Sequence, residues 1–136
     1  MKLAEQEDWK DKYLRSVAEL DNFRRRSIIE KAQIADNAKI EIITQLLPIA
    51  DSIQSALKMN VEGSEAIYQQ IKDAFTKLGV TEIEAVGKPF NPNLHNAIMH
   101  EEDHKNKHKN IITDEFQKGY ALGDKVIRPS LVKVVN

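Results

Sequence analysis

Histidine is the residue type in this chain best suited to chemistry, because imidazole ligates transition metals and titrates near neutrality. There are four, His95, His100, His104 and His108, and the last three recur every fourth residue in HEEDHKNKH. That spacing sets metal ligands along one face of a helix. The segment is nearly all polar, however, and lies between two strand-like stretches with no apolar face to hold a helix against a core. It reads as a solvated loop able to take up nickel or zinc adventitiously, and no functional metal is expected. Nucleophilic chemistry fares no better. Ser16, Ser27, Ser52, Ser55, Ser64 and Ser130 have no His and acid in a recognisable setting, and no Gly-rich phosphate loop is present. Asp103, Asp114 and Glu115 come nearest to a carboxylate pair and read as solvated surface. The chain has no Cys, so disulfides, thiolate nucleophiles and zinc ribbons are excluded together. An enzyme is not expected, nor a cofactor.

Binding remains. Arg24, Arg25 and Arg26 form the sharpest local charge feature, and nucleic acid is their obvious ligand. Against it stand Glu19, Asp21, Glu30 and Asp36 on the same stretch, and a total of 20 Lys and Arg against 21 Asp and Glu, formal net charge −1. Such a balance offers no global field for a phosphate backbone or an anionic membrane. The triplet reads either as a solvated face with partners such as Arg26 and Glu30, or as a docking patch for a protein. No stretch approaches the roughly 20 apolar residues of a membrane span. The opening MKLAEQEDWKDKYLRS is too acidic for a signal or transit peptide.

The elements that must carry these residues fall into two kinds. From about Glu5 to Met59 there is no glycine and one proline, Pro48, which predicts a helix of some 55 residues, bent rather than stopped at the proline. Ile28, Ala32, Ala35, Ile42, Leu46, Ile49, Ile53 and Ala56 follow 4,3 spacing along it, broken only by Lys39. A second helix must cover that stripe. The spacing fails at DNFRRR, although Tyr13, Val17 and Leu20 restore an apolar line before it, as when a coiled-coil repeat departs from seven. NVEGS then breaks the helix, with Ser64 as the expected N-cap of a second one carrying Ile67, Ile71, Ala74, Phe75 and Leu78, closed by Gly79. A long and a short helix with one stripe each make half of a four-helix bundle, so a parallel homodimer is predicted.

Beyond Gly79 the apolar period changes from 3.6 to 2. Short strands are predicted in Val80–Val86, Ala97–His100, Ile111–Gln117 and Val126–Val135, with core candidates Ile83, Phe90, Leu94, Ile98, Phe116, Tyr120, Ile127, Leu131 and Val134. The reading is thus α+β: a helical dimerisation region over residues 1–79 and a small all-β domain over 80–136. The most punctuated part of the β region is FQKGYALGDKVIRPSLVKV, residues 116–134, two glycines followed by alternating apolar and polar residues.

AELDNFRRRS, LLPIADSIQSAL, LGVTEI, GKPFNPNLHNAIM and that last stretch occur in an order that resembles the GrpE family, the nucleotide exchange factors of DnaK-type heat-shock chaperones. The resemblance covers most of the chain. It implies a homodimer with paired N-terminal helices, a four-helix bundle including Ile67, Ile71 and Phe75, and two β-domains, one of which wedges against the chaperone's nucleotide-binding domain and releases ADP. The implied contact set is Phe116 as apolar anchor, with Lys118, Gly119, Tyr120, Lys125, Arg128 and Pro129 around it, plus His95 and Arg24, Arg25 and Arg26. The implied setting is the bacterial cytoplasm, or a mitochondrial matrix or plastid if a targeting segment was removed. Asn91 and Asn96 depart from the family pattern, which has Asp and Glu there, so contacts specific to those carboxylates are not carried over. The competing class is a structural or adaptor coiled coil without exchange activity.

Overall fold

A computed structural model describes residues 2–102 and 110–135. Two helices precede six strands: α1 (Lys2–Lys58), α2 (Ser64–Lys77), β1 (Val80–Glu82), β2 (His95–Glu101), β3 (Ile111–Gln117), β4 (Tyr120–Leu122), β5 (Lys125–Arg128) and β6 (Ser130–Val135). This is the α+β architecture predicted, a long N-terminal helix with a second helix and a C-terminal all-β region. The chain divides into two compact units, residues 1–39 and 40–136.

The first unit is the N-terminal part of α1. Its stability as a helix rests on the absence of Gly and Pro and on i,i+4 ion pairs, Lys12 with Asp8 at 3.1 Å and Arg25 with Asp21 at 3.0 Å. Its large apolar side chains, among them Trp9, Tyr13, Val17, Leu20, Phe23 and Ile28, are all exposed.

In the second unit α1 runs on through Pro48 without a break to Lys58. Proline deprives one carbonyl of its i+4 donor, and the packing of the same turns against a core outweighs that loss. The helix ends in a Schellman motif. Asn60 takes the left-handed φ of 54°, its N–H donates to the Leu57 carbonyl, and the Val61 N–H reaches back to Ala56 at 3.1 Å. The predicted N-cap of α2 is corrected. Gly63, at φ 83°, occupies the cap position, and the Ser64 hydroxyl donates backwards to the Val61 carbonyl at 2.6 Å. Gly79 closes α2 at φ 82°, as expected of a left-handed C-terminal residue.

The strands form two three-stranded sheets. One is antiparallel, in the order β1-β4-β5; the other is mixed, β2-β6-β3, with β2 parallel and β3 antiparallel to β6. Residues 111–135 are therefore one long hairpin. Its base, β3 with β6, lies in the mixed sheet and its tip, β4 with β5, in the antiparallel one. Each sheet has its own core. Ile43, Leu47 and Ala50 of α1, Phe75 of α2 and Val80, Tyr120 and Leu122 of the antiparallel sheet pack together, so helices and hairpin tip share one interior. Ala85, Ile112, Val132 and Val134 fill the second, with Phe90 and Ala97 against it.

Two expected core residues turn outward, Ile98 at 51% exposure and Phe116 at 45%. Each sits at a register shift: Ile98 between the paired Ala97 and Met99, and Phe116 between Glu115 and Gln117, whose partners Val132 and Leu131 are consecutive. A bulge inserts one residue and breaks the alternation from which burial was inferred.

Candidate protein-binding surface

The hairpin passes between the two sheets at Lys118–Gly119 on one strand and at Pro129 on the other. Glycine is required at the crossing. A Cβ on Gly119 would lie 2.5 Å from the Ser130 backbone nitrogen and 2.8 Å from the Arg128 carbonyl oxygen. The Gly119 N–H donates to the buried Ser130 Oγ at 3.0 Å, and its carbonyl accepts from Ile83 at 2.8 Å. At the tip Gly123 takes φ 56° in a two-residue turn with Asp124, as hairpin twist demands.

Two cations of the contact set, Lys118 and Arg128, are held at this crossing by groups of the same chain. Arg128 donates through Nη1 and Nη2 to both oxygens of Asp51 on α1, each at 2.8 Å, and through Nε to the Lys118 carbonyl at 3.0 Å. Its guanidinium also lies 5.5 Å from the centre of the Tyr120 ring. Lys118 Nζ donates to Glu82 at 2.9 Å and to the Tyr68 hydroxyl at 3.2 Å, while Tyr68 donates to the other Glu82 oxygen. Burial alone would raise the Glu82 carboxyl. The hydrogen bonds from Tyr68 and Lys118, with the Lys118 charge, outweigh it and hold Glu82 below the usual range. Lys118 shows the converse: burial disfavours its charge, and the Glu82 and Tyr68 partners raise it well above an ordinary lysine. The Tyr120 hydroxyl is pushed up to about 12, mainly by burial.

Glu115, one residue before Phe116, is the exception in this ring of satisfied groups. Its Oε2 is buried without a hydrogen-bond partner. Burial raises its carboxyl above the usual range, and a hydrogen bond from Ser130 offsets this only in part.

The other sequence-selected residues are placed as follows. Phe116 borders a cleft with Asp51, Gln54, Ser55 and Lys58 of α1. Lys125 and Pro129 are half-buried, and Tyr120 is buried with its ring edge-on to Phe75 at 5.6 Å. His95, 4% exposed, accepts from the Asn91 N–H through Nδ1 and donates from Nε2 to the Glu84 carbonyl, which sets its neutral tautomer. Arg24 is exposed. Arg25 pairs with Asp21, and Arg26 with Glu30 at 3.8 Å, its guanidinium 5.9 Å from the Phe23 ring centre. On α1, Ile28, Ala32, Ala35, Ile42, Leu46 and Ile49 are exposed, while Ile53 and Ala56 are half-buried. On α2, Ile67 is exposed, Ile71 half-buried and Phe75 buried. His100 is exposed on β2, whereas Asp103, His104 and His108 lie outside the described residues. Among the described residues no group of three or more His, Asp or Glu is placed to hold a metal ion, and no helix is long and apolar enough to cross a membrane.

Sequence reasoning missed Asp51, Glu82 and Tyr68, the partners that turn the cations inward. One signal for Asp51 was available. It lies one residue past Ala50 on the face of α1 that also carries Ile43 and Leu47, so it borders the buried stripe.

Comparison with known proteins supplies the remaining observation. The family model described as GrpE matches residues 2–136. A GrpE protein of Clostridium beijerinckii is 43% identical over 133 residues, spanning 93% of this chain and 63% of its own length. That of Geobacillus stearothermophilus is 44% identical over 91% of this chain and 60% of its own length, and that of Bacillus subtilis 42% identical over 94% and 73%. The chain thus spans about three fifths of the length of the first two relatives. With a match running from Lys2 to the last residue and identities above 40%, this chain belongs to the GrpE family.

Proposed function

We propose that the chain is an adenyl-nucleotide exchange factor, a homodimeric co-chaperone that binds the nucleotide-binding domain of a DnaK-type chaperone, opens its cleft and promotes ADP release in the bacterial cytoplasm. Family membership supports the class of partner. The observation that carries the surface is Phe116, a half-exposed aromatic ring turned outward by a bulge on a hairpin whose base and tip are both packed into cores. Rigid aromatic anchors of this kind supply much of the binding energy at protein interfaces. Since Lys118 and Arg128 are engaged within the chain, they brace the anchor. Lys125, half-buried beside the hairpin turn, contributes a cation at the rim of the proposed contact. His95 and Tyr120, being buried, shape the surface from beneath.

The dimer reading is supported by the stripe of α1 that includes Ile42, 62% exposed, and Leu46 and Ile49 beside it. Three large apolar side chains on consecutive turns stand about 100° around the helix from Ile43, Leu47 and Ala50, which pack against the sheet. A second copy of α1 presents the matching stripe.

No covalent step is needed. An exchange factor accelerates release when it binds the open, nucleotide-poor chaperone better than the closed one, and linkage requires nucleotide to weaken the factor by the same factor that the factor weakens nucleotide. The test is release of a fluorescent ADP from a DnaK-type chaperone with and without the protein. A rate increase that saturates with protein concentration is expected. No increase, with the dimer intact, would leave the adaptor reading in its place.

A further inference from the structure

We infer that Asp51 is a positioning residue for exchange: by gripping Arg128 it fixes the angle at which the hairpin, and Phe116 with it, is held against α1. The inference rests on the functional reading above. Asp51 touches no proposed partner. It lies at the rim of the core formed by Ile43, Leu47, Ala50, Phe75, Val80, Tyr120 and Leu122, where apolar packing between helix and hairpin gives out. There both of its oxygens receive the Arg128 guanidinium at 2.8 Å, with side-chain exposures of 20% for the arginine and 30% for the aspartate. The same guanidinium donates to the carbonyl of Lys118, the residue at which β3 leaves the mixed sheet. Gln117 Nε2 adds a longer contact to Asp51 at 3.4 Å. One carboxylate on the helix thus holds both strands of the hairpin at its crossing, two residues from Phe116. A planar fork on a carboxylate constrains direction as well as distance, which a lysine or a single hydrogen bond does not.

Direction matters because the factor acts by discriminating two chaperone states. A hairpin held at one angle fits the open cleft alone, whereas one free to swing can follow the cleft as it closes. Loosening the grip should therefore cost discrimination more than affinity.

The experiment measures the affinity of the full chain for a DnaK-type chaperone without nucleotide and with saturating ADP, and takes the ratio. In Asp51→Asn the ratio should fall about tenfold, within the usual span of coupling between sites, while affinity for the nucleotide-free chaperone falls less. Arg128→Lys, which keeps the charge and loses the fork, should lower the ratio likewise, and Asp51→Glu should restore part of it. A merely structural role gives a different result: partial unfolding scales both affinities equally and leaves the ratio unchanged. An unchanged ratio in either loss variant, with the parent protein showing strong ADP coupling, overturns the inference alone. A parent protein without ADP coupling overturns the functional reading and the inference with it.

Discussion

Replacing Phe116 by alanine tests whether the out-turned ring is the anchor. A phenylalanine side chain presents ~200 Å², and Phe116 is 45% exposed, so docking has roughly 90 Å² left to cover, worth about 2 kcal/mol at ~25 cal/mol per Å². That corresponds to a loss of about thirtyfold in chaperone affinity. The buried remainder, roughly 110 Å², stabilises the hairpin by no more than about 2.5–3 kcal/mol on the same scale, and by less once burial in the unfolded chain is counted. Phe116→Ala should therefore remain folded and dimeric while binding weakly. The assay is titration of the nucleotide-free chaperone, read beside thermal melts by circular dichroism so that affinity is assigned to folded protein. If the folded fraction binds with parental affinity, the ring is a packing residue and the hairpin's contact lies elsewhere.

Ile42→Asp with Leu46→Asp should yield monomers with an intact β region, since each buried unpaired carboxylate costs several kcal/mol at a helix seam; sedimentation showing an unaltered dimer would move the seam to another face. Gly119→Ala should destabilise by about 3 kcal/mol or more because its Cβ meets backbone atoms of Arg128 and Ser130. Gly123→Ala, with open space around it, should cost only the ~1–2 kcal/mol of a left-handed alanine; denaturant midpoints that rank the two in reverse would refute the close approach. Glu115→Gln should raise stability at pH 7, because the neutral amide does not carry the charge that burial disfavours. A carboxyl raised on folding binds its proton more tightly in the folded state. Its cost is therefore fully present above the folded value and vanishes as pH falls below the unfolded value near 4.5. A gain that persists in melts at pH 4 would assign the effect to something other than ionisation.

Much of this architecture was legible because helix, turn and strand signals are local. The glycine-free run, NVEGS and Gly79 mark the helices within a few residues, whereas the period-2 stretches omit β4 and join β5 and β6, which lie in different sheets, into one strand over Val126–Val135. What local patterns do not carry is the identity of a partner far along the chain. Asp51 and Arg128 are 77 residues apart, Glu82 and Lys118 36 apart, and apart from the place of Asp51 beside the buried stripe nothing in either neighbourhood shows that the cations turn inward. Bulges are illegible for a related reason. Whether Ile98 and Phe116 interrupt the pleat depends on the register of β6, which their own alternation does not contain. The N-cap of α2 shows competition between equals: Ser64 has the right chemistry, but Gly63 adopts the left-handed turn that enters the helix, leaving the hydroxyl to bond backwards to Val61.

The 4,3 spacing on α1 marks one stripe, and the structure has two, offset by a single residue. Ile40, Ile43, Leu47 and Ala50 face the antiparallel sheet, whereas Ile42, Leu46 and Ile49 lie about 100° around the helix from them and are exposed. Three turns of one helix thus carry two apolar faces, and Pro48 lies among them. In a dimer both faces would be covered at once, so these turns would be dry on two sides, and the Asp51–Arg128 grip sits one residue past their end. A partner helix seated on Ile42, Leu46 and Ile49 would then fix the helix to which the hairpin is gripped. Rigidity in the anchor's angle would depend on dimerisation even if one hairpin alone touches the chaperone. Monomers produced by substitution at Ile42 and Leu46 should accordingly keep Phe116 and its binding chemistry yet lose discrimination between ADP-bound and nucleotide-free chaperone. Monomers that couple to ADP as strongly as the parent would show that the core behind Ile43 and Leu47 holds the hairpin by itself.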